Sequence, residues 1–255
     1  MPIPTLNRAH PIAHALAAWW PILPTDPAGT VVDLLSRAVA ATAGNARTAG
    51  LTGTNLCLTF PSAFTVPGAP AFAAPLSVAC WVRPGTLARG DLVTRWINGA
   101  SSGDQYNLLY GATSGKPQFY FSNGTPGTTI GTTAGSATMT VGRWHHVVGT
   151  HDGTTASCYL DGVLQGTATG PINAAPATAL MLGDNGWPDG PLTGAISGVS
   201  LYRRCLSAAE VAWLHQEYRT GYPDLLIRGR TPITAMVAPA IGPTPYYHRM
   251  LGGAA

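Results

Sequence analysis

The chain has 255 residues, of which 45% are hydrophobic and 10% are charged, whereas an ordinary soluble domain has roughly 25% charged residues. This deficit predicts a neutral surface of Thr, Ser and Gly or a surface partly covered by partners. The net charge of +3 contains no basic run, which disfavours nucleic-acid binding. No apolar stretch approaches the length of a membrane span, so we expect no membrane partner.

The first residues are predicted to form an N-terminal arm. Residues 1–13 are Pro-rich, and they lack the basic start and unbroken apolar run of a secretory signal peptide. We therefore expect synthesis in the cytoplasm, followed by display on a virion or another particle surface by a route that needs no signal peptide. A single domain over residues 14–222 is predicted to follow this arm, because all-β sandwiches often reach this length.

Short β-type runs separated by Gly, Pro and Asx turns occupy most of this domain. The predicted strands are Ala15–Ile22, Thr30–Leu35, Leu56–Phe60, Leu76–Arg83, Asp91–Ile97, Gln105–Tyr110, Pro117–Phe121, Ala179–Leu182 and Leu192–Tyr202. Residues 38–48 are predicted to be a loop of small residues, and residues 64–74 a Pro-rich crossing. The segment 76–83 alternates most clearly, with Leu76, Val78, Cys80 and Val82 on one face.

The stretch from Arg143 to Gly166 predicts an antiparallel meander. Its three β-type runs are separated by Asp152-Gly153 and Asp161-Gly162, and Asp-Gly supplies the positive-φ residues that a tight hairpin requires. We expect one face of this meander to be dry and the other to be wetter.

One helix is predicted near the end of the domain. Ser207 and Glu210 have the spacing of a capping box, in which each side chain bonds the backbone of the other. Val211, Leu214 and Tyr218 then fall on one stripe, and Gly221 and Pro223 end the helix. The fold class is therefore all-β, a two-sheet antiparallel sandwich with one short C-terminal helix.

Residues 223–255 form a Pro/Ala-rich segment that cannot build a core of its own. We interpret it as an extended assembly arm that docks on a neighbouring subunit or on its own. Its candidate contact residues are Arg228, Arg230, Tyr246, Tyr247 and Arg249. The expected partners are other protein subunits, either in a homo-oligomer or as capsid or tail proteins.

The four cysteines match no zinc-binding spacing. Cys80 and Cys158 fall on the apolar faces of their strands, which favours free buried thiols, although two disulfides remain an alternative. The histidines at positions 145, 146 and 151 do not share one strand face, so we expect His146 to be structural rather than part of a metal site or a triad.

Three segments resemble laminin-G-like, concanavalin A-like lectin/glucanase domains. Leu76–Pro84 is similar to the family strand ΦSΦSAWVKP, in which Φ is apolar. Trp144–Val147 with Tyr159–Val163 looks like the hairpin W-x-H-V…YVDG, and Gly194–Glu210 is similar to the closing pattern GxIDDVRIYNRALSxxEI. The resemblance covers about residues 15–220 and implies a jelly roll, often with a calcium ion or a glycan at one rim.

The sequence departs from this family at the positions of its acidic residues. After Ile196 the chain has Ser197-Gly198, where the family usually has two acids, and its only glutamates are Glu210 and Glu217 on the predicted helix. A glycosidase needs two carboxylates at the scissile bond. We therefore expect a protein that is not an enzyme.

The loop after residue 182 is the best candidate for a binding site. Asp184 and Asp189 could bind calcium together with the Asn185 amide, and the alternative is ordinary turn chemistry. Trp187 could stack on a sugar or lie in an interface, and Tyr106 is a second aromatic candidate for glycan contact. No cofactor other than this possible calcium is expected.

Three functional hypotheses follow. The first is a non-catalytic, virion-type decoration or attachment protein that is fastened to an assembly by its terminal arms. The second is a free lectin that binds surface glycans, with or without calcium, and the third is a glycoside hydrolase. The fold alone does not choose among them.

Overall fold

A computed structural model describes residues 5–22, 30–36, 39–41, 46–49, 56–60, 64–96, 102–111, 114–185, 190–219 and 226–227. Within these residues the chain forms one α-helix, α1 (Ala208–Arg219), and a short 3₁₀ helix (Pro11–Ala13). The strands, in chain order, are β1 Thr5–Leu6, β2 Leu16–Trp20, β3 Thr30–Val32, β4 Val39–Ala41, β5 Ala46–Ala49, β6 Leu56–Phe60, β7 Phe64–Val66, β8 Leu76–Pro84, β9 Gly90–Arg95, β10 Tyr106–Tyr110, β11 Pro117–Phe121, β12 Ile130–Gly131, β13 His145–His151, β14 Thr155–Leu160, β15 Val163–Thr169, β16 Leu180–Leu182, β17 Gly194–Tyr202 and β18 Leu226–Ile227.

Two antiparallel sheets form a sandwich. In the described part of the chain, the six-stranded sheet has the order β12-β11-β10-β9-β16-β7, and the eight-stranded sheet has the order β15-β14-β13-β8-β17-β6-β5 with β2 also paired to β17. Strand β17 borders β8 along one side, whereas its other side pairs with β6 at its start and with β2 at its end. The predicted two-sheet antiparallel sandwich with one late helix is confirmed.

The inner core lies between the two sheets. Leu76, Val78, Cys80 and Val82 all point into it, as the alternation of β8 predicts, and they meet Phe119 and other side chains of the opposite sheet. Cys80 and Cys158 are free buried thiols, as predicted, and burial raises the pKa of Cys158 to about 12.

The meander keeps a wetter face, as predicted, because Thr155 and Ser157 of β14 are half-buried and β15 carries exposed residues. A second core nevertheless covers the outer face of the eight-stranded sheet around β8, β13 and the end of β14. Trp81, Val148 and Tyr159 of this face are buried against Val211 and Leu214 of α1 and against residues of the N-terminal segment. The predicted capping box starts the helix, because the Ser207 backbone N–H donates to Glu210 Oε2 at 2.9 Å and the Glu210 N–H donates to Ser207 Oγ at 3.3 Å.

The N-terminal segment packs on this second core. Ile12 is fully buried there, and strand β1 pairs with β18, so that Thr5 lies opposite Ile227. The boundaries that the sequence suggests for the two arms remain predictions. None of the helices in the described ranges is long and apolar enough to cross a membrane.

Some short strands lie where the sequence predicts loops. Strand β4 and most of β5 lie within residues 38–48, and β7 lies within residues 64–74. Strand β12 was also missed. These runs of two to four residues carry too little periodicity to be recognised before the sheet pairs them.

Gly149 provides a test of how tightly the two sheets interlock. A Cβ at this position would lie 2.3 Å from a ring carbon of Phe119 on the opposite sheet, so even one methyl group forces the ring to move. We expect Gly149→Ala to lower the free energy of unfolding by about 1–3 kcal/mol, measured by urea denaturation. If the contact is responsible, the double variant Gly149→Ala/Phe119→Leu loses less than the sum of the two single variants.

Candidate functional site

The structure describes only part of the predicted site. Asp184, Asn185 and Tyr106 lie within the described residues, whereas Trp187 and Asp189 lie outside them. The predicted contact residues of the C-terminal arm also lie outside the described residues: Arg228, Arg230, Tyr246, Tyr247 and Arg249.

Tyr106 does not lie at a binding surface. Its side chain is 2% exposed within the inner core, and its ring centroid is 5.9 Å from that of Phe119. Burial raises the pKa of Tyr106 to about 12. A ring enclosed in this way offers no face to a sugar, which corrects the sequence-based assignment of Tyr106 to a glycan contact.

Asp184 and Asn185 lie in the loop that follows β16. The N–H of Gly183 donates to the Leu92 carbonyl at 3.1 Å, and the N–H of Leu192 donates to the Gly183 carbonyl at 2.8 Å. These bonds hold the start of the loop against β9. The Asn185 side chain is buried, and its backbone N–H donates to Asp184 Oδ1 at 2.6 Å.

Asp91 is the third member of this site, and sequence reasoning missed it. It lies near the start of β9, and its side chain is fully buried on the face that points away from the inner core. Asn107 Nδ2 donates to Asp91 Oδ1 at 2.7 Å, and an Arg89 guanidinium N–H donates to the same oxygen at 3.3 Å. The Asp91 N–H also donates to the Gly190 carbonyl at 2.9 Å, which brings the far end of the loop over this carboxylate.

Three side-chain oxygens converge on one point beside Gly190. A Cβ at this glycine would lie 2.2 Å from Asp91 Oδ2, 2.8 Å from Asn185 Oδ1 and 3.4 Å from Asp184 Oδ1. Only glycine leaves this space open. Among the described residues, Asp91 Oδ2 is buried without a hydrogen-bond partner.

The electrostatics of this point favour a cation. Burial raises the pKa of Asp91 to about 6, and the charge of Asp184 raises it further, whereas Arg89 and Asn107 act in the opposite direction. Carboxylate and amide oxygens are the ligands that calcium prefers, so these residues fit that ion chemically. Among the described residues, no group of three or more His, Cys, Asp or Glu side chains is arranged to hold a metal ion. At this point beside Gly190 the third oxygen comes from the Asn185 amide.

Polar and aromatic side chains continue from Asp91 across the outer face of the six-stranded sheet. Asn107 of β10 lies opposite Tyr120 of β11, and the Asn107 Oδ1 is buried without a hydrogen-bond partner in the described part of the chain. Tyr120 and Gln118 are half-buried, with 3.5 Å between the Tyr120 hydroxyl and Gln118 Oε1. The half-buried Gln118 amide and the Tyr120 ring and hydroxyl are suited to a polyhydroxylated ligand, whereas Asn107 lies beneath the surface and bonds Asp91.

The other described carboxylates have hydrogen-bond partners elsewhere in the domain. Asp91 and Asp184 are the two described acids that approach one another beside Gly190. The acids engaged elsewhere are Asp33, Asp104, Asp152, Asp161, Glu210 and Glu217.

His146 lies far from this face, in the second core. Its ring centroid is 5.1 Å from that of Trp81 and 5.8 Å from that of His215, and burial lowers its pKa to about 3. It is therefore neutral at physiological pH, which agrees with the structural role predicted for it.

We expect Asp91→Asn to stabilise the chain in calcium-free buffer at pH 8. An acid whose pKa is raised on folding contributes most to stability below pH 4, and this contribution is lost as the pH rises through about 6. The ionised buried carboxylate costs on the order of 3 kcal/mol, so removing its charge should add about 1–3 kcal/mol. Urea denaturation in EGTA at pH 4 and pH 8 measures this, and equal stability of the two proteins at pH 8 would contradict it.

Comparisons with known proteins agree with the architecture. The model of a family described as the Concanavalin A-like lectin/glucanases superfamily matches residues 61–212, more than half of the chain. This match supports the jelly-roll assignment that the sequence motifs imply. No curated protein sequence matches.

Three solved structures illustrate the likeness. Domain 4 of AbnA, a GH43 extracellular arabinanase from Geobacillus stearothermophilus, in complex with arabinotriose, is 16% identical with a TM-score of 0.60, and the match covers 79% of this chain and 98% of that one. The binding domain of Paraclostridial Mosquitocidal Protein 1 is 14% identical with a TM-score of 0.61, covering 81% of this chain and 53% of that one. Trypanosoma rangeli sialidase in complex with sialic acid is 15% identical with a TM-score of 0.55, covering 80% of this chain and 33% of that one. This chain thus spans about half of the second chain and a third of the third, and at these identities the likeness is one of fold.

Proposed function

The chain belongs to the concanavalin A-like lectin/glucanases superfamily, and on that basis we propose that it is a non-catalytic glycan-binding module assisted by calcium. The observation that carries this proposal is the convergence of Asp91, Asp184 and Asn185 oxygens beside Gly190. A calcium ion would be held by these three side chains, with Asp189 in the same loop as a further ligand. The ion would supply positive charge to the buried carboxylate and a Lewis-acidic partner for sugar hydroxyls.

Glycan contacts are proposed for two neighbouring groups. Trp187 follows Asn185 by two positions, and an indole ring provides the apolar surface on which a sugar ring stacks. Tyr120, which lies along the sheet opposite Asn107 and is half-buried, would bond hydroxyls. The arabinotriose complex of the AbnA domain and the binding domain of the mosquitocidal protein support a binding role for this fold.

The burial of Asp91 argues against the glycosidase alternative. A glycosidase needs an acid that reaches the glycosidic oxygen and a second carboxylate for the nucleophile or the base. Asp91 is fully buried beneath the Gly190 backbone, so its carboxyl group cannot touch a glycosidic bond without rearrangement of the loop. The sialidase is an enzyme, but this chain matches a third of its length.

A larger assembly is proposed to display this module, in the form of a virion-type decoration or attachment protein. The pairing of β1 with β18 supports this proposal, because it places Thr5 of the N-terminal segment opposite Ile227 of the C-terminal segment. The apolar, Pro-rich composition of the second segment and the low charge of the chain favour its burial against another subunit. A homo-oligomer, a capsid protein or a tail protein is the proposed partner, and surface glycans are the proposed target.

Glycan-array binding tests the glycan-binding site. We expect the full chain to bind a subset of glycans only in the presence of calcium, so that the signals from these glycans disappear in EGTA. Trp187→Ala should lose the signal because the stacking surface is gone, and Asp91→Asn should lose the calcium dependence. Trp213→Ala is the matched control, because Trp213 is 39% exposed on α1, on the opposite side of the sandwich. The proposal would be refuted if the wild-type chain bound none of the glycans on the array, either with or without calcium.

Light scattering tests the assembly role. We expect the full chain to form an oligomer, or to bind purified particles, and a variant that ends after Ile227 to be monomeric. The melting temperature of the truncated variant should be nearly unchanged if the segment contacts other subunits. A monomeric full chain whose stability falls on truncation would show instead that the segment packs on its own domain.

A further inference from the structure

A second cavity lies on the opposite face of the sandwich. It has a volume of about 430 Å³ and opens where α1 meets the β14–β15 turn and the segment before β13. Small-molecule sites usually measure about 300–1,000 Å³. The side chains that line it are Trp81, Arg143, Trp144, His145, Asp161 and His215. We propose that this cavity is a second glycan-binding site and that it takes one neutral saccharide ring.

The Asp161 carboxylate is held rigidly at this cavity. Asp161 has a φ of +50° in the hairpin turn, and Gly162 next to it has a φ of +84°. The His146 N–H donates to Asp161 Oδ1 at 2.8 Å, and His145 Nδ1 lies 2.8 Å from Asp161 Oδ2. Burial raises the pKa of Asp161, but these hydrogen bonds and the neighbouring histidines outweigh it, so the net pKa is lowered and the charged carboxylate is pre-oriented as a hydrogen-bond acceptor.

His145 is a positioning residue for this carboxylate. Its Nε2 accepts the Thr140 backbone N–H at 2.9 Å, so the neutral ring carries its hydrogen on Nδ1 and donates to Asp161. Both ring nitrogens are thereby used. The Asp161 side chain is still 38% exposed, and each of its oxygens has a lone pair left for a ligand hydroxyl.

The Trp144 indole provides the apolar surface of the cavity that a ligand can reach, and Trp81 supports the cavity from beneath. Trp81 is buried beneath the ring of His215, with 5.1 Å between ring centroids and an interplanar angle of 18°. Trp144 is half-buried, and the Arg83 guanidinium lies 5.3 Å from its ring centroid. A pyranose or furanose ring has one apolar face of C–H groups, which is suited to packing on an indole.

The charges of the lining favour a neutral ring over an ion. Asp161 contributes one negative charge and the exposed Arg143 one positive charge, so an anion would meet the carboxylate and a cation would meet the guanidinium. Hydroxyl groups, in contrast, both donate and accept. They can therefore bond Asp161 and Arg143 at the same time, without an unpaired charge remaining.

The two proposed sites face opposite directions. Trp81 points from β8 away from the inner core, as Asp91 and Asn107 do from the six-stranded sheet, and packed sheets are about 10 Å apart. One sugar ring therefore cannot reach both sites. A module with both would be bivalent and would gain avidity on a surface that carries many glycans.

Nuclear magnetic resonance of the full chain tests this second site. The probes are the neutral saccharides arabinotriose and maltotriose, the acidic 3′-sialyllactose and a synthetic peptide of residues 240–255. We expect a neutral saccharide to shift the Trp144 indole N–H signal, which is assigned with Trp144→Phe, in a saturable manner. This shift should persist in Asp91→Asn with EGTA, where the first site is disabled.

Matched variants separate binding from folding. Trp144→Ala should weaken binding by about tenfold or more, Asp161→Asn should weaken it while the thermal melt stays cooperative, and Trp213→Ala should leave it unchanged. The proposal is overturned if no neutral saccharide shifts the Trp144 signal, if only the acidic saccharide or the peptide does, or if the shift vanishes in Asp91→Asn with EGTA. The two sites can also fail separately. If the Trp144 signal still shifts, but glycan-array binding does not change with Trp187→Ala or with calcium, the second site is supported and the first is refuted.

Discussion

Strand β8 is buried on both faces, and the rest of the structure depends on this constraint. Its residues Val78 and Val82 fill the space between the sheets, whereas Trp81 lies beneath α1 on the other side. A sheet face that carries an indole and other apolar side chains must be covered, and α1 with the N-terminal segment provides the cover. The domain thus has two cores, and both candidate binding sites lie at their edges.

The first site shows how a sandwich can create a cation-type centre from distant parts of the chain. Asp91 belongs to a strand, whereas Asp184, Asn185 and Gly190 belong to a loop that follows a different strand. Backbone bonds tie the loop to β9 at both ends, so the buried carboxylate and the loop oxygens are forced together. Burial raises the pKa of Asp91 to about 6, the charge of Asp184 adds a smaller increase, and a bound cation would stabilise the ionised carboxylate.

The sequence predicted the features of the fold that depend on interactions between residues close together in the chain. The two Asp-Gly turns, the alternation of β8 and the capping box of α1 each depend on residues within about ten positions of one another. Strands β4, β5, β7 and β12 were not predicted, because sheet pairing rather than a local sequence pattern makes these short segments strands. Tyr106 illustrates a different limit, since an aromatic residue in a strand has the same local pattern whether its ring faces solvent or the core.

The sequence by itself determined the all-β class, the meander, the late helix and the loop that carries Asp184 and Asn185. Only the tertiary structure decided that Asp91 completes that loop, that α1 covers Val148 and Tyr159 on the outer face of the meander, and that Trp81, Asp161 and His215 line a second cavity. The physical reason is the separation along the chain of the residues that interact. Turns and caps are set by neighbours along the chain, whereas a site is set by groups that sheet pairing and helix docking bring together from far apart.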